Sequence, residues 1–227
     1  MRALAAALLL AGAPGFAFAQ QTPPVVPPPP VAAPPVIRDR PISGFVIDAR
    51  GVLAKFGQRA ATATALGVAA ADLPGPGLGG AIGAHVYPLR VARVALGVGG
   101  EMVIARRSRQ PVDDSGEPEG ANLKARMFSI APQLSLNFGR RNGWSYVSAG
   151  MGNASFETWA ETASAAAPDR RVRAINYGGG ARWFRSPHLA FTFDLRFYAV
   201  SPGFAAGTLA ERPRQRLMVL SAGLSVR

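Results

Sequence analysis

The sequence contains no cysteine. Disulfide frameworks, thiolate metal sites and thiol nucleophiles are excluded. Histidine is nearly missing: His85 and His188 are the only two, too few for an all-histidine metal site. Charge is sparse, at 17%, where about 25% is typical of a soluble domain. Of 25 basic residues only Lys55 and Lys124 are not arginine, a bias that codon composition accounts for. Beyond the N-terminal region no run of 18 apolar residues occurs, so no transmembrane helix is expected in the mature chain.

What is present is glycine (26), proline (20), 48% hydrophobic residues and a net charge of +12 in 227 residues. That length suits one domain of about 150–200 residues plus a tail. Met1-Arg2, the apolar run Ala3–Ala13 and the small-x-small pattern Ala17-Phe18-Ala19 read as a signal peptide over 1–19, cleaved before Gln20. The apolar run is too short for a spanning anchor. Residues 20–42 follow as a Pro-rich periplasmic spacer, with eight prolines between Gln21 and Pro35. Proline lacks a backbone N–H and favours extended chain, so this stretch is a semi-rigid link and not a core.

From Ser43 onward the hydrophobic period is two. Phe128, Ile130, Pro132, Leu134, Leu136 and Phe138 share one face, with Ser129, Ala131, Gln133, Ser135 and Asn137 opposite. Leu189, Phe191, Phe193, Leu195 and Phe197 alternate with Ala190, Thr192, Asp194, Arg196 and Tyr198. Such alternation marks strands with a different solvent on each side. Eight segments qualify, near 43–57, 77–88, 91–106, 124–138, 144–158, 172–185, 189–200 and 214–226. They are long enough for tilted bilayer crossing, which takes about 9–11 residues.

The connections alternate between long (58–76, 107–123, 159–171, 201–213) and short (89–90, 139–143, 186–188). Long outer loops and short periplasmic turns give this asymmetry in an outer membrane barrel. The polar face carries Asp48, Arg50, Glu101, Arg182, Asp194 and Arg196. These are ruinous in an apolar core unless paired but tolerable in a narrow polar lumen. Aromatics near strand ends (Phe56, Tyr87, Phe138, Trp144, Tyr146, Trp159, Trp183, Phe184, Phe197, Tyr198) are expected to form interfacial girdles.

Ile175–Phe184, the turn, and Leu189–Arg196 together resemble the sixth and seventh strands of the OmpA/OmpX-type eight-stranded outer membrane barrels. A Gly-rich strand with an inward arginine there precedes an alternating strand with an inward acid and base. The resemblance implies an all-β, eight-stranded, antiparallel up-and-down transmembrane β-barrel over 43–227. It departs from that pattern at Ser225-Val226-Arg227, where family members end on an aromatic. It also departs at Pro132, whose missing N–H interrupts a ladder unless a bulge takes it up.

Eight strands enclose an interior that side chains fill. The lumen charges are therefore expected to staple the wall, with a gated ion or solute pore as the alternative. A hydrolase triad of Asp48, His85 and Ser145 or Ser148 is the third reading, but those serines lie on a distant strand without a nucleophile motif. His85 reads as a hydrogen-bonded lumen side chain and His188 as an exposed turn residue. The glycine runs 77–83 and 97–100 are only loosely dinucleotide-like, since a strand pattern continues through them. Arg106, Arg107, Arg109, Lys124, Arg126, Arg170, Arg171, Arg173, Arg212, Arg214 and Arg216 flank three long loops. Arginine grips phosphate bidentately, so this rim is a candidate for lipid phosphates, lipopolysaccharide included.

The sequence thus predicts a non-catalytic outer membrane protein of a Gram-negative bacterium. It is expected to be a monomer with a structural or surface-interaction role. Its partners would be outer membrane lipids and the outer membrane assembly machinery, with no cofactor, metal or nucleic acid.

Overall fold

The computed structural model describes residues 42–57, 59–161, 170–203 and 214–227. The signal peptide, most of the spacer, and Arg212 of the expected rim lie outside them.

Eight strands follow one another in order: β1 (Phe45–Lys55), β2 (Gly77–Val91), β3 (Val94–Arg109), β4 (Leu123–Arg140), β5 (Gly143–Ala160), β6 (Val172–Phe184), β7 (Leu189–Val200) and β8 (Gln215–Val226). Each pairs antiparallel with the next, and β8 returns to β1, with Asp48 opposite Ser225. Closure removes the unpaired strand edge that would otherwise recruit another chain. The first long connection carries a short helix, α1 (Ala60–Leu66), closed by Gly67 in the left-handed conformation (φ 68°). Its Ala63, with Leu73, packs on Leu123 at the long-loop end of β4.

β2 and β4 run further into their short turns than alternation indicates. β2 continues past Pro88 to Val91, and the turn is Ala92-Arg93. A one-residue register shift between Val86 and Leu89 accommodates Pro88, and that shift breaks the side-chain alternation. At Pro132 there is no bulge. Pairing of β4 with β5 omits Ala131 and Pro132, then resumes in the same register at Gln133, opposite Gly150.

Alternation sorts side chains between a lipid-ready exterior and a filled interior. Leu78, Ile82, Val86, Leu134 and Phe191 each expose more than half their surface on the outer wall. Tyr177 stacks on Phe197 there at 5.7 Å. Five of the aromatics expected in girdles, Phe56, Tyr87, Trp144, Tyr146 and Tyr198, are instead buried inside. Their positions share the parity of the inward charges, which overrides proximity to a strand end.

The interior has three layers. Toward the long loops lies an apolar cluster that includes Val52, Phe56, Val103, Met127, Phe156, Val200 and Leu217. Phe56 and Phe156 meet there at 5.0 Å. Toward the short turns, Ile42, Val46, Tyr87, Ala95, Trp144 and Tyr146 form a second cluster. Arg227 closes this end. Its guanidinium sits 3.6 Å over the Phe184 ring and donates to the carbonyls of Pro187 and Arg141. The charged layer lies between the two clusters.

Candidate functional site

Strands β1, β3, β6 and β7 bring Asp48, Arg50, Glu101, Arg182, Asp194 and Arg196 into one network at mid-barrel, all buried. The Arg182 fork donates from Nε and Nη2 to the two oxygens of Asp48, at 3.0 and 2.6 Å. The Ser225 hydroxyl donates to the same carboxylate. Arg50 pairs with Glu101 and donates to Ser221 at 3.1 Å. It also lies 3.4 Å from Asp194. Arg196 donates to both Asp194 oxygens at 3.2 and 3.0 Å, and lies 3.2 Å from Glu101. Three cations face three anions, so the layer is neutral.

Neutral hydrogen-bonding groups complete the network. The Tyr146 hydroxyl donates to Asp194 at 2.8 Å, and its ring lies 4.2 Å beneath the Arg182 guanidinium. Tyr198 donates to Glu101 at 3.0 Å. Arg196 donates to Asn176 and Ser148 at 3.0 Å each, and Gln133 donates to Asn176 at 3.1 Å. The sequence reading did not connect these residues to the charges. Their inward parity was visible, but the partner of each depends on registers that only closure fixes.

Glycine makes room for these side chains. Asp48 and Glu101 both stand opposite Gly83, Asp194 opposite Gly180, Arg196 opposite Gly178 and Arg50 opposite Gly223. Five of the six charges thus have a glycine as cross-strand neighbour. This gives the glycine-rich run of β6 a packing reason.

The hydrolase constellation does not assemble. Ser145 faces outward and Ser148 accepts from Arg196. The two His85 ring nitrogens have no hydrogen-bond partner among the described residues, contrary to the expected bonded lumen histidine. His188 is an exposed turn residue whose Nδ1 lies 3.2 Å from the Arg227 carbonyl oxygen.

The basic residues do not form one continuous rim. Arg106, Arg107, Lys124 and Arg126 line a single cavity of about 550 Å³ on the β3–β4–β5 wall, with Leu78, Ser108 and Trp159. Arg170 is held by Glu157 at 3.2 Å, and Arg171 lies over the Phe128 ring at 5.5 Å. Arg109, Arg173, Arg214 and Arg216 are exposed elsewhere along the long-loop end.

A closed eight-strand meander with an apolar exterior and an ion-paired interior defines an eight-stranded barrel of the outer membrane type. No family model matches the chain, and no curated protein matches it. Among solved structures, Neisserial surface protein A is similar, at 14% identity and a TM-score of 0.50, over 81% of this chain and 97% of that one. The outer membrane protein OprG from Pseudomonas aeruginosa aligns at 11% identity and a TM-score of 0.47, over 83% and 97%. The N-terminal β-barrel domain of OprF from the same organism aligns at 10% and 0.39, over 82% and 98%. At 14% identity, what Neisserial surface protein A shares with the chain is the fold.

Proposed function

We propose that this chain is an integral outer membrane protein of a Gram-negative envelope, with a sealed barrel that serves a structural or surface-interaction role without catalysis. The observation that carries the reading is the ion-paired layer, buried between two apolar interior clusters. The gap bounded by Arg50, Glu101, Asp194, Arg196 and Tyr198 leaves no room for a water molecule. A pore needs a continuous wet path, and every charge that would line one is neutralised by a neighbour. Export by the 1–19 signal, membrane insertion through the assembly machinery and function as a monomer belong to the same reading. Closure supports the last of these, because each of the eight described strands is paired on both edges. The long-loop end carries the partner-facing cations, for which lipid phosphates are the matching chemistry.

Washed outer membranes and gel migration with and without boiling test this. A folded barrel in that fraction, migrating differently until boiled, is expected. A soluble protein without a shift would overturn the reading. Steady single-channel conductance by the folded protein would replace the sealed barrel with the pore.

A further inference from the structure

We infer that the short-turn end of the barrel is a collar that docks anionic phospholipid headgroups of the leaflet it faces, with Arg90, Arg141 and Arg185 among its cations. This rests on the outer membrane reading and concerns the end opposite the long loops.

The two ends of the barrel differ in charge. The segments 86–97, 136–146, 183–192 and 222–227 build the short-turn end. They contain Arg90, Arg93, Arg140, Arg141, Arg185 and Arg227, and no Asp or Glu. Arg38-Asp39-Arg40, just before them in the chain, carries more positive charge than negative. Even a terminal carboxylate on Arg227, whose carbonyl oxygen lies 3.2 Å from His188 Nδ1, leaves the cations in large excess. At the long-loop end, by contrast, acids stand among the bases. Lys124 pairs with Glu161 and Arg170 with Glu157, and Asp113, Asp114, Glu117 and Glu119 lie in the β3–β4 connection.

Three of the short-turn arginines have no acid partner among the described residues. Arg90 donates to the Ile42 carbonyl at 3.2 Å. The Arg141 and Arg185 side chains make no hydrogen bond or ion pair there. Arg227 is occupied by the Phe184 ring and by carbonyls. Burial, and then the charge of Arg141 beside it, lower the Arg227 guanidinium from its ordinary pKa. Cations crowded in this way gain from any anion that comes between them.

The apolar outer wall runs up to these cations. Phe138 closes the outward row of β4 just before Arg140 and Arg141. Trp183, 58% exposed, stands two residues before Arg185. Leu89, Val91 and Leu189 are exposed on the same rim. Arginine at such a boundary lays its methylenes on apolar surface and carries its guanidinium into the headgroup layer. Tryptophan favours the same depth. The guanidinium fork matches the oxygens of phosphate. A wall polymer would meet the forks but not Trp183 or Phe138, whereas a phospholipid uses both.

The test uses the folded mature protein in vesicles of phosphatidylcholine and phosphatidylglycerol, with the same composition in both leaflets. Trp159→Phe leaves Trp183 as the exposed reporter, because Trp144 is buried inside. One series carries bromine on the phosphatidylglycerol chains and the other on the phosphatidylcholine chains. Quenching of Trp183 then reads which lipid lies beside the short turns. Phosphatidylglycerol is expected to be enriched there about fivefold, and the enrichment to shrink as salt is raised. The Arg90→Gln, Arg141→Gln, Arg185→Gln triple variant is expected to lose it. The Arg109→Gln, Arg173→Gln, Arg216→Gln triple removes the same charge at the long-loop end and is expected to keep it. Equal quenching by the two lipids with every arginine in place would overturn the collar. Equal losses in both triples would overturn it too, by reducing the preference to net charge. Sedimentation with isolated peptidoglycan, lost in the short-turn triple, by a protein without lipid preference would replace the lipid with a wall polymer. If the short-turn triple lacks the boiling-dependent gel shift, Arg185→Gln alone takes its place, with the enrichment expected to fall about twofold. No fall in that variant would overturn the collar. The gel shift in every variant separates failure of the collar from failure of the barrel.

Discussion

Arg182 and Asp48 lie 134 positions apart in the chain and join β6 to β1 across the lumen through two parallel hydrogen bonds. Both side chains are almost wholly buried. Such a pair gains little over a well-packed apolar pair, but breaking it strands a buried charge. Arg182→Met is therefore expected to destabilise the barrel by about 3–5 kcal/mol. Adding Asp48→Asn should recover much of that loss, because no charge is then left alone. Urea unfolding in lipid vesicles measures both. An additive double variant would show that the two residues do not act as a pair.

Stapling and gating make opposite predictions for the charges around Arg196. Arg196 touches Asp194, Glu101, Asn176 and Ser148. Under stapling, Arg196→Gln lowers the unfolding midpoint and leaves bilayer conductance at the background of the native protein. A folded variant that conducts would establish that the network is a gate.

The barrel was legible because its two solvents write alternating patterns, and because loop lengths alternate with them. Asp194 and Arg196 fall on the inward face by parity alone. Which acid meets which arginine was not legible, since Arg182–Asp48 depends on closure between β8 and β1. The Pro88 shift was also hidden: the alternating pattern ends there, so the strand seemed to stop where only its register changed. The aromatics misled through position. Tyr146 and Tyr198 lie close to strand ends, yet their hydroxyls serve Asp194 and Glu101 inside.

Gly180 faces inward beside Tyr146. A Cβ added there falls 2.7 Å from the Tyr146 hydroxyl and 2.1 Å from the Phe193 carbonyl oxygen. The methyl meets backbone that yields little in a closed ladder, and it also crowds the Tyr146 hydroxyl that donates to Asp194. Gly180→Ala is expected to cost about 1–3 kcal/mol. Gly51→Ala is the control, because its nearest contact is an ordinary 3.7 Å, and it should change stability by less than about 0.5 kcal/mol. Equal costs at the two positions would mean that strand propensity, not the close contacts at Gly180, sets the penalty.

Asp113 organises the tip of the β3–β4 connection. Its Oδ1 accepts from the Ser115 hydroxyl at 2.7 Å and from the backbone N–H groups of Ser115 and Glu117 at 2.9 Å each. Gly116 takes a φ of 87° to let the chain turn around it. The Ser115 hydroxyl, and then the Glu117 amide, hold the Asp113 carboxyl below its ordinary value of 3.8. A lowered pKa in the folded loop means that the turn gains stability above 3.8 and loses it as pH falls through the folded value. Residue-resolved NMR titration should place Asp113 below 3.8, with the Ser115 and Glu117 amides exchanging faster at the acid end. Asp113→Asn keeps one acceptor oxygen but not its charge, so it should retain the turn and abolish the pH dependence. An Asp113 that titrates at or above 3.8 would mean that these donors do not hold it in solution.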